Sequence, residues 1–374
     1  MNQRQGASAD TREPFFDAET ATNVMPVPEG LVSGPAALRL CGEGAAFALV
    51  GGPLAFTHAR LGGDVLSAAQ LRQAAGDVLS EYDGALADAL ERLSAPRADF
   101  AGLALSGTGA CPRIMGVCNV TPDSFSDGGD HADPDAAIAF ARALVAAGAD
   151  IIDVGGESTR PGAAPVSVDA ECARVLPVVS ALADEGVLVS IDTRKTAVMQ
   201  AAVEAGARIV NDVGALADDG AVEAIARSDA SVVLMHMRGT PETMQDDPSY
   251  GDVVGDVYAM LAGRVALCRG AGIPAARIAV DPGFGFGKTV AHNEALLRDL
   301  TVFHGLGCAL AVGLSRKSFI GVWTGETDPK ARVTGSVAAA LAAVARGAQI
   351  VRVHDVDETR RALDVWRHAS GWAV

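Results

Sequence analysis

The sequence predicts an α/β protein with a (β/α)8 TIM barrel over residues 111–374, preceded by a small N-terminal extension, residues 1–110, of uncertain fold. Two observations predict the barrel. From about residue 112, short β-branched runs alternate with Ala- and Leu-rich stretches, eight of each. Several of these stretches end in glycine, as AAG, EAG and ARG do, which is the usual stop signal of a helix. Because parallel strands need helical crossovers and eight of them close a sheet, the pattern favours a barrel over an open doubly wound sheet.

The barrel elements follow one another at regular intervals. The predicted strands are residues 114–119, 151–154, 187–192, 209–212, 232–236, 278–281, 309–315 and 350–354. The helices are expected to start near Pro134, Val168, Lys195, Gly220, Tyr250, Asn293, Arg332 and Asp357. In the extension, residues 45–50 form a weak strand pattern and residues 67–93 a helical one, and no motif there indicates a function.

Composition excludes several classes of protein. The chain has 46 acidic and 30 basic residues, a formal net charge of -16, which argues against binding to nucleic acid or to an anionic membrane surface. Its apolar runs are too short for a membrane helix, and its first residues lack an apolar signal segment, so a cytoplasmic protein is expected. The six cysteines form no CxxC pair and are expected to be free thiols.

A polar residue stands at or just beyond the end of every predicted strand. In a (β/α)8 barrel these ends meet at one mouth, where the loops that follow the strands build the active site. Burying so many polar groups together costs solvation free energy that a bound ligand would offset. The helix-to-strand turns at the other end, such as AGADI and RGAQI, carry no such chemistry. The strand-end residues are Asn119, Asp153, Asp192, Asn211, His236, Asp281, Ser315, Arg352 and His354.

Eight segments of the barrel region resemble the dihydropteroate synthases of folate biosynthesis, a pterin-binding family. The resemblance spans residues 113–370 and implies a (β/α)8 barrel that joins 6-hydroxymethyl-7,8-dihydropterin pyrophosphate to 4-aminobenzoate, with Mg²⁺ and release of pyrophosphate. It also implies a homodimer and inhibition by sulfonamides. The segments are MGVCNVTPDSFSDGG, IDVGGESTRPGA, SIDTRK, VNDV, LMHMRGTP, DPGFGFGK, VGLSRKSFIG and VRVHDV.

The resemblance assigns four residues to the pterin. Asp192, Asn211 and Asp281 match the family's pterin-binding positions, and Lys317 matches a lysine that contacts the ring from the opposite side. The chemistry is reasonable, because the donors and acceptors on a pterin edge need carboxylate and amide partners in a deep pocket. An isolated strand-end Asp is more often a helix cap or part of a salt bridge.

The resemblance assigns a second group of residues to the diphosphate. It implies that Asn119 helps to hold Mg²⁺ and the diphosphate, and that Arg352 and His354 bind the anion. Arg352 and His354 are two residues apart on one strand, so they are expected to point to the same side, near the Asn119 loop. Taken alone, Asn119 is more often a turn residue and His354 a buried histidine of the core.

The 4-aminobenzoate pocket is expected in the loops after the first two strands. The resemblance assigns it Phe125, Thr159, Arg160 and Pro161, with Ser318 near the carboxylate. We expect these loops, residues 121–131 and 157–165, to be mobile and to become ordered once Mg²⁺ and pyrophosphate bind.

The glycine-rich segment DPGFGFGK is expected to approach a flat ring, with Phe286 in contact with the pterin or the aminobenzoate. It is no nucleotide-binding P-loop, because Pro282 stands where that motif needs glycine.

No nucleophile with an activating base is evident, and the expected reaction needs none. An aromatic amine is neutral at pH 7, so catalysis is expected to consist of stabilising the leaving group, by an SN1-like path, with Asp192, Lys317, Arg352 and His354 as the catalytic residues. A methyltetrahydrofolate-dependent methyltransferase and a non-catalytic pterin-binding protein are the alternatives. The SRKS, ESTRPGA and RVH segments count against the methyltransferase, which does not need to bind a diphosphate, and the presence of every charged position that the family's chemistry uses counts against the non-catalytic protein.

Overall fold

The structure is a computed structural model that describes residues 24–77, 82, 84–106, 111–121, 133–158, 165–240 and 242–372. Within these ranges the chain forms an N-terminal antiparallel sheet region followed by a closed eight-stranded parallel barrel. No helix of the described ranges is both long enough and apolar enough to cross a membrane.

The N-terminal region is built around one central strand. β3 pairs antiparallel with β1 along one edge and with the short strands β2 and β4 along the other. Phe56, Leu71 and Leu93 are fully buried between this sheet and the helices that follow it. The elements are β1 (Val27–Ser33), α1 (Gly34–Gly42), β2 (Phe47–Leu49), β3 (Leu54–Leu61), β4 (Asp64–Ser67), α2 (Ala68–Gly76) and α3 (Ala85–Ser94).

The helical pattern of residues 67–93 belongs to two helices. Ser67 caps α2, because its hydroxyl accepts a hydrogen bond from the backbone N–H of Gln70, and the Gln70 side chain bonds back to the Ser67 backbone. The backbone returns to an extended conformation at Asp77, which ends α2. A left-handed Gly84 then precedes α3.

The barrel strands run β10, β11, β12, β5, β6, β7, β8 and β9 around the closed sheet. The last strand therefore lies beside the first, and all neighbours are parallel. The elements are β5 (Arg113–Asn119), α4 (Pro134–Ala146), β6 (Ile151–Gly155), α5 (Val168–Asp184), β7 (Val189–Asp192), α6 (Thr196–Glu204), β8 (Ile209–Asp212), α7 (Ala221–Ala226), β9 (Ser231–Met235), α8 (Val253–Gly270), β10 (Ile278–Asp281), α9 (Val290–Arg298), β11 (Ala309–Val312), α10 (Ser318–Thr324), α11 (Val333–Val344), β12 (Ile350–Val353) and α12 (Val356–Ala369).

The predicted barrel is confirmed, and two strands have a boundary that differs from the prediction by two residues or more. β7 begins two residues later than expected, and β11 ends at Val312 rather than at residue 315. Beyond Val312 the chain leaves the sheet, and Arg316 adopts a positive φ of 60° that no strand residue uses. The helix α10, which the sequence pattern did not predict, starts directly afterwards with Lys317 at its N-cap.

The N-terminal region also closes the base of the barrel. Phe100 and Leu105 pack in one apolar cluster with Met115 and Ile151, which lie near the N-terminal ends of the barrel strands β5 and β6. Arg97 is buried and donates hydrogen bonds to the backbone carbonyls of His304 at 2.7 Å and Cys308 at 3.0 Å. The extension is therefore part of the barrel's own core, at the end opposite the polar strand ends.

Candidate active site

A network of charged groups fills the centre of the barrel mouth. Arg352 on β12 donates from Nε to Oδ2 of Asp153 on β6 at 2.5 Å and from Nη2 to Oδ2 of Asp192 on β7 at 2.6 Å. Asn211 on β8 donates from Nδ2 to the same oxygen of Asp153 at 3.0 Å. Four strands are thus connected through polar side chains, and parallel pairing with a common direction is what brings them to one level.

Asp281 and Lys317 form the other side of this network. Asp281, at the end of β10, accepts a hydrogen bond from the backbone N–H of Gly283 at 2.7 Å. Lys317 extends beside Gly285, where an added Cβ would lie 3.1 Å from its Cδ. Its Nζ lies 4.0 Å from the centre of the Phe286 ring, which is a cation–π distance. An ammonium and an aromatic ring therefore lie against each other at this end of the barrel, and the carboxylate of Asp281 interacts electrostatically with the same ammonium.

Burial shifts the pKa values of these groups in opposite directions. It raises the pKa of Asp281 to about 6, although the Gly283 N–H favours the ionised form. It lowers the pKa of Lys317 to about 8, and the nearby Arg352 lowers it further while Asp281 opposes the shift. Burial also raises the pKa of Asp192, against the effect of Arg352. Carboxylates and lysines with pKa values moved toward neutrality are typical of functional sites.

Arg352 remains charged in this environment. Burial disfavours the guanidinium, but Asp153 and Asp192 hold the pKa of Arg352 above its ordinary value. Oδ1 of Asp153 is buried and has no hydrogen-bond partner among the described residues. An acceptor that faces no donor within the protein is available to a donor on a ligand.

Asn119, His354 and Ser318 lie at the same end of the barrel. Asn119 ends β5 beside Gly155, where an added Cβ would lie 3.5 Å from Asn119 Oδ1 and 3.5 Å from Asp192 Cβ. His354 follows the last residue of β12, and its Nδ1 lies 3.0 Å from Oγ of Ser315. Ser318 is exposed at the first position of α10.

The side chains of Arg352 and His354 were expected to point to the same side of their strand, and the structure does not show this arrangement. Arg352 extends across the barrel to two carboxylates, whereas His354 contacts the loop after β11. β12 ends at Val353, so the alternation that would place both side chains on one side does not continue to His354.

Four of the residues that the resemblance assigns to 4-aminobenzoate, Phe125, Thr159, Arg160 and Pro161, lie outside the described residues, as does most of each of the two loops expected to become ordered.

Three further residues of the mouth carried no assigned role in the sequence interpretation. Asp153 lies at the centre of the network, and its signal was a carboxylate inside the apolar strand IIDVG. Lys288 and His236 are buried together, with Lys288 Nζ 2.9 Å from His236 Nδ1. The sequence feature that could have indicated this pair is the lysine at the end of the glycine-rich segment DPGFGFGK.

The described residues contain no group of three or more His, Cys, Asp or Glu side chains able to hold a metal ion by themselves. Mg²⁺ keeps several water ligands and is commonly bound by one or two protein oxygens together with substrate phosphates, so a single side-chain oxygen can contribute to its site. Asn119 Oδ1 is an oxygen ligand of the right kind at the rim of the pocket.

Fold and site define the class of protein. A (β/α)8 barrel with buried carboxylates, an amide and cations at its strand ends is an enzyme scaffold suited to a polar heterocycle and an anion. In agreement, the family model described as "Pterin binding enzyme" matches residues 115–354. The residues before 115, including the N-terminal sheet region, lie outside that match.

Comparison with known proteins identifies the family within this class of enzymes. Dihydropteroate synthase of Neisseria meningitidis serogroup C is 55% identical over 259 residues, which are 68% of this chain and 92% of the relative. The structure of Xanthomonas albilineans dihydropteroate synthase with 4-aminobenzoic acid has a TM-score of 0.68 at 49% identity and covers 73% of this chain and 98% of its own. That of the Burkholderia cenocepacia enzyme complexed with 7,8-dihydropteroate has a TM-score of 0.64 at 48% identity and covers 69% and 91%. The chain belongs to the dihydropteroate synthase family.

The resemblance seen in the sequence motifs is thereby confirmed, and with it the expected enzyme activity, dihydropteroate synthase. The two alternative functions, a methyltransferase and a non-catalytic binding protein, are not supported by these relatives.

Proposed function

We propose that the mouth of this barrel is divided into two halves, one for the pterin ring and one for the diphosphate leaving group. In the reaction, the bond between the pterin methylene carbon and the diphosphate oxygen breaks, and a bond forms from that carbon to the amine nitrogen of 4-aminobenzoate. The amine loses a proton to solvent and pyrophosphate departs. The observation that carries the proposal is the buried network in which Arg352 joins Asp153 and Asp192.

The pterin half consists of Asp192, Asn211, Asp281 and Lys317, supported by Asp153. The ring edge of a pterin offers an amino group and a ring N–H as donors, and these need carboxylate or amide oxygens. Oδ1 of Asp153, which has no partner among the described residues, adds one such acceptor. Lys317 lies against the Phe286 ring and donates to acceptors on the pterin.

The diphosphate half consists of Asn119, His354 and the outer part of Arg352. The protein as a whole is negative, so an anion must be bound by a local set of donors. Asn119 would hold Mg²⁺ together with oxygens of the diphosphate, and the bound ion would neutralise charge that develops on the leaving group. His354, placed by Ser315, would donate a hydrogen bond to the same anion.

4-Aminobenzoate would enter from the side of Ser318. Ser318 is exposed at the N-terminal end of α10, where backbone N–H groups and the hydroxyl can meet a carboxylate. The Xanthomonas albilineans relative was solved with 4-aminobenzoic acid, which supports the same second substrate here. Phe125, Thr159, Arg160 and Pro161 complete this pocket in the proposal.

The residues of the mouth perform catalysis by electrostatics and orientation. Asp192 and Asp281 face the pterin as positive charge spreads into its ring, and Arg352, His354 and the ammonium of Lys317 favour separation of the anion. Because the attacking amine is already neutral, no residue has to remove a proton before attack. We favour bond breaking ahead of bond making, the SN1-like order, since every charged residue of the site stabilises one of the two separated charges.

A homodimer is part of the same proposal. Val322 and Trp323 on α10 are 67% and 44% exposed, adjacent and apolar, as expected of a surface that packs against a second copy. Light scattering coupled to gel filtration tests it: a mass near twice 38.0 kDa is expected, and a monomer at every concentration would contradict it.

The function itself is tested by incubating the full-length protein with 6-hydroxymethyl-7,8-dihydropterin pyrophosphate, 4-aminobenzoate and Mg²⁺, and following both products. Equal amounts of dihydropteroate and pyrophosphate are expected. Pyrophosphate release without dihydropteroate would show hydrolysis instead of transfer, and would contradict the proposal. Sulfonamides should compete with 4-aminobenzoate and not with the pterin substrate.

A further inference from the structure

A buried lysine behind the pterin half has no role in the mechanism above. Lys288 is 3% exposed, and no carboxylate of the described residues lies within ion-pair distance of it. Burying an ammonium without a carboxylate partner costs solvation free energy. Burial lowers the pKa of Lys288 to about 7, although Asp281 opposes the shift.

The ammonium of Lys288 makes three contacts, all with two segments of the mouth. Its Nζ lies 2.9 Å from Nδ1 of His236, 3.0 Å from the carbonyl oxygen of Phe286 and, less favourably, 3.4 Å from the carbonyl oxygen of His236. Since an ammonium only donates, Nδ1 of His236 accepts, and the imidazole is neutral with its proton on Nε2. Burial and Lys288 lower the pKa of His236 to about 3, which agrees with a neutral ring.

These contacts fasten the glycine-rich loop after β10 to the end of β9. An added Cβ on Gly283 would lie 1.8 Å from the carbonyl oxygen of His236, and one on Gly287 would lie 2.5 Å from that of Arg238. Both glycines have positive φ, at 71° and 62°. The loop can therefore lie this close to β9 only without side chains at these positions. Lys288 helps to hold it there, as do Gln245 and Tyr250, which donate to the carbonyls of Gly285 and Gly287.

The same loop carries Phe286 into the pocket. The ring of Phe286 lies 4.0 Å from Nζ of Lys317, and the carbonyl of Phe286 accepts the hydrogen bond from Lys288. A continuous series of contacts thus runs from His236 through Lys288 and Phe286 to Lys317. Both lysines therefore contact Phe286, Lys288 at its backbone carbonyl and Lys317 at its ring.

We propose that Lys288 is a positioning residue for the pterin substrate: together with His236 it fixes the loop so that the Phe286 ring stays beside Lys317. This inference rests on the proposed function, because it concerns the same pterin half. Lys288 touches no substrate in this account. It acts through Phe286, so its loss should weaken pterin binding specifically and leave 4-aminobenzoate binding unchanged.

The test compares kinetic constants of full-length variants in the dihydropteroate assay. Lys288→Met should raise KM for the pterin substrate by about tenfold, while KM for 4-aminobenzoate stays within about twofold. Lys330→Met, the same change at an exposed lysine, is the matched control. Phe286→Leu should raise the same KM, and the double variant should be no worse than Phe286→Leu alone, because residues that act through one another are not additive.

Effects of Lys288→Met and Phe286→Leu that multiply, or a fall in kcat with both KM values unchanged, would overturn the proposal. If Lys288→Met does not fold, His236 provides the test. His236→Asn keeps an acceptor close to the position of Nδ1 and should bind the pterin substrate more tightly than His236→Leu, and equal KM values in the two would reject the proposal. Absence of dihydropteroate formation by the wild-type protein would overturn the proposed function as well, whereas normal turnover with an unchanged KM in Lys288→Met overturns only this inference.

Discussion

Nη2 of Arg352, on the last barrel strand, lies 2.6 Å from Oδ2 of Asp192, on the third, so an ion pair crosses the interior of the barrel mouth. The two residues are 160 apart in sequence. The pair orients the carboxylate of Asp192 and at the same time supplies positive charge at the point where the diphosphate would leave. One interaction therefore links the two proposed halves of the site.

Replacing Asp192 by Asn should reduce kcat/KM for the pterin substrate by about 100-fold, about 2.7 kcal/mol of transition-state stabilisation. The amide carries no charge to support the developing pterin cation, and Arg352 is left with Asp153 alone. Steady-state kinetics measure the effect. Asp357→Asn is the matched control, since Asp357 also pairs with an arginine, Arg361, but on the exposed surface of α12. An effect of similar size in both variants would contradict the assignment.

The pH dependence of kcat/KM for the pterin substrate should be bell-shaped. Asp281 carries the negative charge that supports the pterin cation only when it is ionised, so activity should fall as the pH drops below its pKa of about 6. Lys317 donates as a cation, so activity should fall again as the pH rises above its pKa of about 8. Lys317→Arg should remove the alkaline fall, because arginine stays charged throughout this range. An alkaline limb unchanged in this variant would assign it to another group.

Removal of Mg²⁺ with EDTA should abolish dihydropteroate formation and weaken binding of inorganic pyrophosphate. Asn119→Ala should raise the Mg²⁺ concentration needed for half-maximal activity by about tenfold, since one of the few protein oxygens near the ion is lost. Titration of activity against Mg²⁺ measures this. Full activity in EDTA, or an unchanged Mg²⁺ requirement in the variant, would show that Asn119 does not hold the ion.

Arg97 should contribute strongly to stability although it lies far from the substrates. Its side chain joins the N-terminal region to the carbonyls of His304 and Cys308 at the barrel base. Arg97→Met should lower the free energy of unfolding by about 3 kcal/mol, because buried carbonyl groups lose a charged donor. Urea unfolding measures the loss, and Arg39→Met on exposed α1 is the control. Equal stability of the two variants would mean that the extension is not integral to the barrel.

The sequence predicts the barrel strands better than it predicts the contacts among the site residues. Each barrel strand is a short apolar run with a polar residue at or near its end, so all eight are visible without knowing their neighbours. The partner of Arg352 is not visible in this way, because Asp153 is 199 residues away and only closure of the barrel brings them together. The fold of the extension was not predicted, since its sheet depends on pairing among short strands with weak patterns.

The end of β11 is a second feature that the local sequence does not predict, because contacts with later elements determine it. The run ALAVGLS continues the strand pattern through Ser315, but the chain turns at Arg316 and enters α10 at once. What terminates the strand is packing against the next elements: the backbone N–H of Arg316 donates to Ser336 on α11, and its guanidinium pairs with Asp355. Neither contact has a signature in the local sequence.

The division of the mouth is tested most directly by measuring inhibition constants of 6-hydroxymethylpterin and of inorganic pyrophosphate with Mg²⁺ on two variants, Asp281→Asn and His354→Ala. Asp281→Asn should lose affinity for the pterin by at least about tenfold and keep that for pyrophosphate, and His354→Ala should do the reverse. Loss of both affinities, or of neither, in each variant would contradict a mouth built from two separate halves.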